Sequence, residues 1–281
     1  MKGKRSAVKE KLVVAIMTII TLPILLPYLW LLLNSLAKGV YWGLIPQRFT
    51  LENWSFLWRK VKIGANVFPS VWPIVGNTVL LAGGITVLVV LIASLTGYAL
   101  SRINFTGKSF LLKSTIFLHA FPGVALLIAM YFVLQKLGLI DTLLGVILVK
   151  VALELPMATW IIKGFFDNIP LDTEWAAYLD GCNRFQAWWK VILPQMKTGL
   201  AAIAIFSFIS GWSEFIYVYT FIYSPANYTL AVYLKNLIGD FRMLNYNLLC
   251  ATGLFYMIPV ILFFVFSQKT LMQISFGGLK E

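Results

Sequence analysis

The chain has 281 residues, of which 60% are hydrophobic and only 12% charged, with a mean hydropathy of +0.83. That balance excludes an ordinary soluble domain, in which about a quarter of residues carry charge. The net charge of +12 is spread over the ends of apolar runs instead of lying in one dense stripe, which favours orientation signals and lipid headgroups over nucleic acid.

Leu12–Ala37 contains no Lys, Arg, Asp or Glu over 26 residues. A helix crosses the hydrocarbon core with roughly 20 apolar residues. The run exceeds the roughly 7–15 residues of a signal-peptide core, so despite the small residues of "SLA" at 35–37 it reads as a retained first span, near 12–36. The next run, Ile63–Ser101, opens with Pro69 and Pro73. Its first part therefore reads as exterior loop or a short interfacial element, with a span near 74–100. Ser114–Gln135 holds a span near 112–135, with His119 beside Pro122 read as filling a kink. Thr142–Ile162, broken only by Lys150 and Glu154, gives a span near 143–164. Thr198–Leu234, broken only by Glu214, gives one near 199–222, and Met243–Gln268 gives the last, near 246–267. Asn77 and Asn247 fall near span ends, where water satisfies them at low cost.

Backbone groups in lipid must be paired internally, and unbroken runs are not the alternation of a barrel. The expectation is an all-α membrane protein of six transmembrane helices, one domain over 1–281. Cys182 and Cys250 offer no disulfide or metal-ligand spacing. With an even number of spans both termini share a side. That side carries fourteen basic residues (Lys2, Lys4, Arg5, Lys9, Lys11, Arg102, Lys108, Lys113, Lys163, Arg184, Lys190, Lys197, Lys269, Lys280). The other carries eight (Lys38, Arg48, Arg59, Lys60, Lys62, Lys136, Lys235, Arg242). The excess places both termini in the cytoplasm, in a multi-pass protein of the cell membrane.

The loop 165–198 breaks the pattern. Its segment "EWAAYLDGCNRFQAWWKVILPQ", residues 174–195, mixes both charges with a glycine, a proline and three tryptophans. Pro170 stops the preceding helix, and Asp172 or Thr173 can cap a new one with Glu174 in its first turn. That helix meets Gly181, where the backbone turns left-handed. Asn183, with Gln186 three residues on, caps a second helix, bent or ended near Pro194. Helices this short need packing to hold them. Two readings stay open on the residues alone: an amphipathic pair lying on headgroups through Trp175, Trp188 and Trp189, or a surface that a partner protein approaches closely over Ala176 and Ala177.

The segment resembles the E-A-A-x-x-x-G loop of ABC importer permeases, which is followed by I-x-L-P. Ala176, Ala177, Asp180 and Gly181 match, as do Val191, Leu193 and Pro194 at the later offset, with Pro170 upstream. Trp175 occupies the usual Glu position and an acid appears one residue earlier, at Glu174, turned about 100° around a helix. Further stretches resemble the carbohydrate-importer permeases of the maltose-system type: "NSLAKG", "IPQRFTLENW", "GNTVLL", "GYALSRINFTGK", "LGLIDTLLGVIL", "GWSEF" and the tail "FGGLK". The resemblance implies a type I permease fold with a cytoplasmic coupling helix. It also implies the partners: a second homologous permease chain, two ATP-binding subunits carrying ATP and Mg, and an extracytoplasmic solute-binding protein that delivers carbohydrate. This chain itself would bind no cofactor or metal. The coupling contact would fall on Glu174, Trp175, Ala176, Ala177, Asp180, Gly181, Leu193 and Pro194.

"TGKS" at 106–109 imitates the end of a P-loop, but Arg102 stands where the motif needs glycine, and the segment follows a span instead of a strand. No nucleophile–base or paired-carboxylate constellation can be assembled, so a transport subunit is expected rather than an enzyme. A secondary transporter would show inverted repeats, and none is discernible. Polar residues inside spans mark a candidate substrate path: Lys150, Glu154, Trp212, Ser213 and Glu214. Lys150 and Glu154, four apart on one helix face, read either as a structural ion pair or as a lining that meets sugar hydroxyls or an acidic sugar group.

Overall fold

A computed structural model of the chain describes residues 2–42, 45–63, 66–68, 70–239 and 245–277. Pro69, Arg242 and the end of the "FGGLK" tail lie outside the described residues. The chain divides into two compact units, Met1–Val71 with Leu234–Ile258, and Trp72–Tyr233 with Pro259–Glu281.

In the first unit, α1 spans Lys2–Ser35, and every residue from Val13 to Leu29 is exposed. An apolar surface of that extent is untenable in water and natural in lipid. Two short antiparallel hairpins follow, Val40–Tyr41 with Ile45–Pro46 and Val61–Ile63 with Asn66–Phe68. The carbonyls at the end of a helix need donors, and here asparagines supply them. Asn53 Nδ2 donates to the carbonyls of Ser35 at 3.0 Å and Ala37 at 2.8 Å, and Asn247 Nδ2 donates to Ala37 at 2.6 Å. Asn247 is thus a clamp and not a water-satisfied bystander.

The second unit is organised on α2, Trp72–Arg102. Then come α3 (Lys108–His119), α4 (Leu127–Lys136), α5 (Leu143–Asp167), α6 (Leu171–Leu179), α7 (Arg184–Gln186), α8 (Leu193–Gln195), α9 (Lys197–Trp212) and α10 (Ile216–Phe221), while α11 (Leu230–Leu237) starts in this unit and from Leu234 belongs to the first. The last helix, α12 (Tyr246–Gly277), begins in the first unit. Leu81, Ile85, Val89 and Ala93, each four residues apart, bury one stripe of α2 against α5 and α9. Small residues let these backbones approach. A Cβ on Gly97 would lie 2.7 Å from Cγ2 of Ile162 and 3.2 Å from the Lys163 nitrogen, and one on Gly211 would lie 2.8 Å from Cα of Ala82.

Among the described residues four helices are long and apolar enough to cross a membrane, or up to six if Lys108–His119 with Gly123–Lys136 and Arg184–Gln195 with Lys197–Trp212 are each one bent span. The expected third span, 112–135, is built from Lys108–His119 and Gly123–Lys136, bent by 93°. Pro122 sits at the break, where it removes a backbone donor and disfavours helix at the residue before it. His119 is exposed at the end of α3 and does not fill the kink. The expected fifth span, 199–222, is divided between α9 and α10 by a break over 213–215.

Asn77, expected to be satisfied by water, donates to the carbonyls of Ala226 at 2.7 Å and Tyr228 at 3.0 Å. Beside it the Thr78 hydroxyl accepts from Leu230 N at 2.9 Å. Asp141, at φ +63°, accepts from the backbone of Tyr223 and Ser224 and from the Ser224 hydroxyl. Burial opposes its charge, yet the Ser224 hydroxyl and these amides hold the carboxyl below its ordinary value. Gly97→Ala is expected to force α2 and α5 apart at a cost of about 1–3 kcal/mol. Gly83, with nothing within 4 Å of a Cβ, accepts alanine without loss. Thermal unfolding of the detergent-solubilised protein distinguishes the two.

Candidate functional site

The loop 165–198 folds as an ordered helical elbow. Pro170, at φ −56° and ψ 137°, precedes α6. Neither Asp172 nor Thr173 caps the helix, because it starts at Leu171 and takes both into its first turn. Asp172 and Glu174 there still complement the exposed amides. The end of α6 is closed by paired bonds, Gly181 N to Tyr178 O and Cys182 N to Ala177 O, both 3.0 Å. This Schellman closure needs a left-handed residue, and Gly181 supplies it at φ +84°. Asn183 and Gln186 form the expected reciprocal capping box. A π-helical turn over Ala187–Ile192 follows. It carries the chain toward Pro194, whose nitrogen cannot donate.

The elbow sorts its residues by side. Trp175 and Leu179, one turn apart, are 65% and 90% exposed, and Ala176, Asp180, Gly181 and Pro194 are exposed with them. Leu193 is half-buried. Ala177 and Trp188 are buried within the chain. The two alanines therefore divide, Ala176 facing outward and Ala177 packing inward, and do not present a joint small-residue face.

Glu174 is also turned inward and is buried. Its Oε2 lies 3.2 Å from Nε of Arg102. That nitrogen makes no aligned hydrogen bond, so charge holds the pair. Its Oε1 accepts from the Tyr98 hydroxyl and from the Tyr178 hydroxyl at 2.5 Å. Burial and the bond to Glu174 push the Tyr178 hydroxyl up, keeping it protonated and donating. Arg102 Nη2 also donates to the carbonyls of Phe166 at 3.0 Å and Ile169 at 2.6 Å.

A second polar group lies among α5, α9 and α10. Lys150 Nζ is 3.2 Å from Glu154 Oε1 and 3.1 Å from Glu214 Oε2. Ser210 bridges, accepting from Lys150 at 2.8 Å and donating to Glu154 at 2.6 Å. Glu214 Oε1 also accepts from Tyr217 N at 2.9 Å, closing the first turn of α10 beyond the break. Lys150 lies 6.0 Å from the Tyr217 ring centroid, within reach of a cation–π contact. A cavity of about 300 Å³ opens beside the group, lined by His119, Gly123, Lys150, Glu154 and Tyr217 among others. Ser213 is exposed and donates to Ile209 O at 2.8 Å, while Trp212 is buried.

Tyr98, Arg102, Tyr178, Leu179, Ser210 and Tyr217 were not among the residues expected from sequence. Leu179 carried a local signal, four residues after Trp175; the pairing of the others crosses between helices. An apolar helical chain with an ordered elbow between two spans, and an ion cluster beside a cavity, defines a membrane transport subunit. Residues 89–273 match the family described as "Binding-protein-dependent transport system inner membrane component", and the chain belongs to that family.

The chain is 30% identical over 264 residues to the sulfoquinovosyl glycerol transport system permease protein of Agrobacterium fabrum, covering 91% of this chain and 89% of that one. It is 30% identical to the trehalose transport system permease protein of Mycobacterium tuberculosis, over 91% and 92% of the two chains. To the arabinooligosaccharides transport system permease protein of Halalkalibacterium halodurans it is 27% identical over the full length of both. The fold is shared with a bacterial ABC transporter involved in the import of the acidic polysaccharide alginate. That match has a TM-score of 0.79, 22% identity, and coverage of 94% of this chain and 97% of that chain. The protein is an ABC importer permease of the inner membrane, a transport subunit and not an enzyme, and it works with a solute-binding protein and an ATPase.

Replacing Lys150 by Met strands two carboxylates against each other and is expected to cost about 3–5 kcal/mol. Lys150→Arg keeps the charge and loses far less. Thermal unfolding of both variants measures the difference.

Proposed function

We propose that the chain forms half of the translocation path for an uncharged carbohydrate. In this reading it assembles with a second homologous permease chain, two ATP-binding subunits that carry ATP and Mg, and an extracytoplasmic solute-binding protein. Both termini face the cytoplasm, as the excess of basic residues on that side supports. All 281 residues act as one permease domain, with the elbow at 174–194 seated on an ATPase subunit.

The observation that carries the coupling reading is the outward face of the elbow. Trp175 and Leu179 stand exposed on a helix capped at its end and packed through Ala177. Aromatic anchors that fill a partner's pocket are where interface energy concentrates. With Trp175 at the usual Glu position, the contact with the ATPase is apolar at its centre, and Ala176, Asp180, Gly181 and Pro194 complete the surface. Turning a 1:99 population of conformations into 99:1 takes about 5.5 kcal/mol of differential binding. A rigid elbow can transmit that bias; a disordered loop would dissipate it.

The relatives named for sulfoquinovosyl glycerol, trehalose and arabinooligosaccharides support a carbohydrate. Their names include charged and uncharged sugars, so charge preference has to come from this chain's own residues. Lys150 is already bracketed by Glu154 and Glu214. The cluster therefore offers an acidic sugar no free cation, and its hydroxyl, carboxylate and ring groups suit neutral hydroxyls.

In the complex reconstituted with its binding protein, neutral di- and oligosaccharides are expected to stimulate ATP hydrolysis. Stimulation confined to uronates or sulfonated sugars would overturn the charge assignment. Ala176→Arg, which places a charged side chain on the outward face, is expected to abolish stimulated hydrolysis while the chain still folds. Unchanged stimulation would remove α6 from the coupling role.

A further inference from the structure

A helix gripped from outside moves the spans only if something ties it to them. Through the backbone α6 continues from α5 by way of Asn168, Ile169 and Pro170. No such covalent route reaches α2, around which α5 and α9 pack. Its last turn, however, presents Tyr98 and Arg102 four residues apart on one face, and both engage Glu174 of α6. The same guanidinium holds the carbonyls of Phe166 and Ile169 at the end of α5, where a cation complements the helix terminus. A second tie joins α2 to α5, from the Ser101 hydroxyl to Asp167 at 2.6 Å, with Lys163 on the same carboxylate at 2.5 Å.

We propose that Tyr98, Arg102 and Glu174 form the joint through which displacement of α6 is delivered to α2. The proposal rests on the reading of α6 as the element an ATPase subunit grips. The three are positioning residues: none faces the outward surface of the elbow. Arg102 is central because one planar fork can serve a carboxylate and two carbonyls together, which a lysine cannot. The shift of the acid from position 175 to 174 gains a meaning here. It takes the carboxylate off the docking face and turns it into the chain.

The test uses the whole complex in lipid nanodiscs, with Cys182 and Cys250 replaced by serine and a spectroscopic label on Leu95→Cys, an exposed position of α2. The label's response to a non-hydrolysable ATP analogue is titrated. Glu174→Gln keeps the shape and the acceptor for both tyrosines and removes only the charge. It is expected to raise the nucleotide concentration needed for the response by roughly fivefold or more, the lower end of ordinary coupling factors, while the ATPase subunit still co-purifies. Tyr98→Phe shifts it less, in the same direction. The double variant Arg102→Gln with Glu174→Gln should be no worse than the worse single, because residues acting through one another are not additive. A purely structural role would lower the unfolding temperature and leave the titration in place.

Should Glu174→Gln and Tyr98→Phe titrate like wild type while Ala176→Arg loses the response, the joint is refuted and the coupling reading survives. A normal response in Ala176→Arg would refute both. If Arg102→Gln does not fold, Glu174→Gln decides alone.

Discussion

A polar group that enters a lipid-embedded chain has to find its partner inside that chain, because the surrounding solvent offers none. At four places where a helix ends or breaks, a side chain is placed to meet the freed backbone. Asn53 and Asn247 close the end of α1, and Asn77 and Thr78 receive the segment before α11. Asp141 gathers the amides after α10, and Glu214 caps that helix at its start. These four ends and breaks are therefore held shapes, each with its own closing residue. They permit cavities and turns at membrane depth that an unbroken helix would forbid.

The elbow inverts the amphipathic arrangement of a helix on a water-soluble protein. Its buried side carries the charge of Glu174, and its exposed side carries Trp175 and Leu179. Burying the carboxylate is tolerable because Arg102 and two hydroxyls attend it. Exposing the apolar pair makes sense when another protein covers it. The cluster at Lys150 obeys the same economy. Three charges and a hydroxyl engage one another beside the neighbouring cavity.

Legibility followed distance along the chain. The apolar runs, the left-handed Gly181 and the Asn183–Gln186 box are local signals, set by neighbours three or four residues away, and each could be read directly. The Lys150–Glu154 pair was visible for the same reason. Glu214 joining that pair, Arg102 reaching Glu174 and Asn77 reaching Ala226 depend on which helices pack together, and no periodicity encodes that. Arg102 was read only as a residue that spoils a P-loop and as an orientation charge. The inward turn of Ala177 was hidden too, since a pair of adjacent alanines carries no mark of which side will be covered. Pro122 signalled a disturbance, but not a bend of 93°.

The π turn over Ala187–Ile192 bears on how the elbow can vary. Such a turn is an α-helix carrying a surplus residue, so it resets the rotational phase of everything after it. Trp188, Ile192 and Met196 are all buried, at a strict interval of four. Removing or adding one residue between Trp188 and Pro194 would swing one part of that stripe about 100° out of alignment with the other. The count between that tryptophan and the proline is thus a phase constraint, and length changes here are far less tolerable than substitutions.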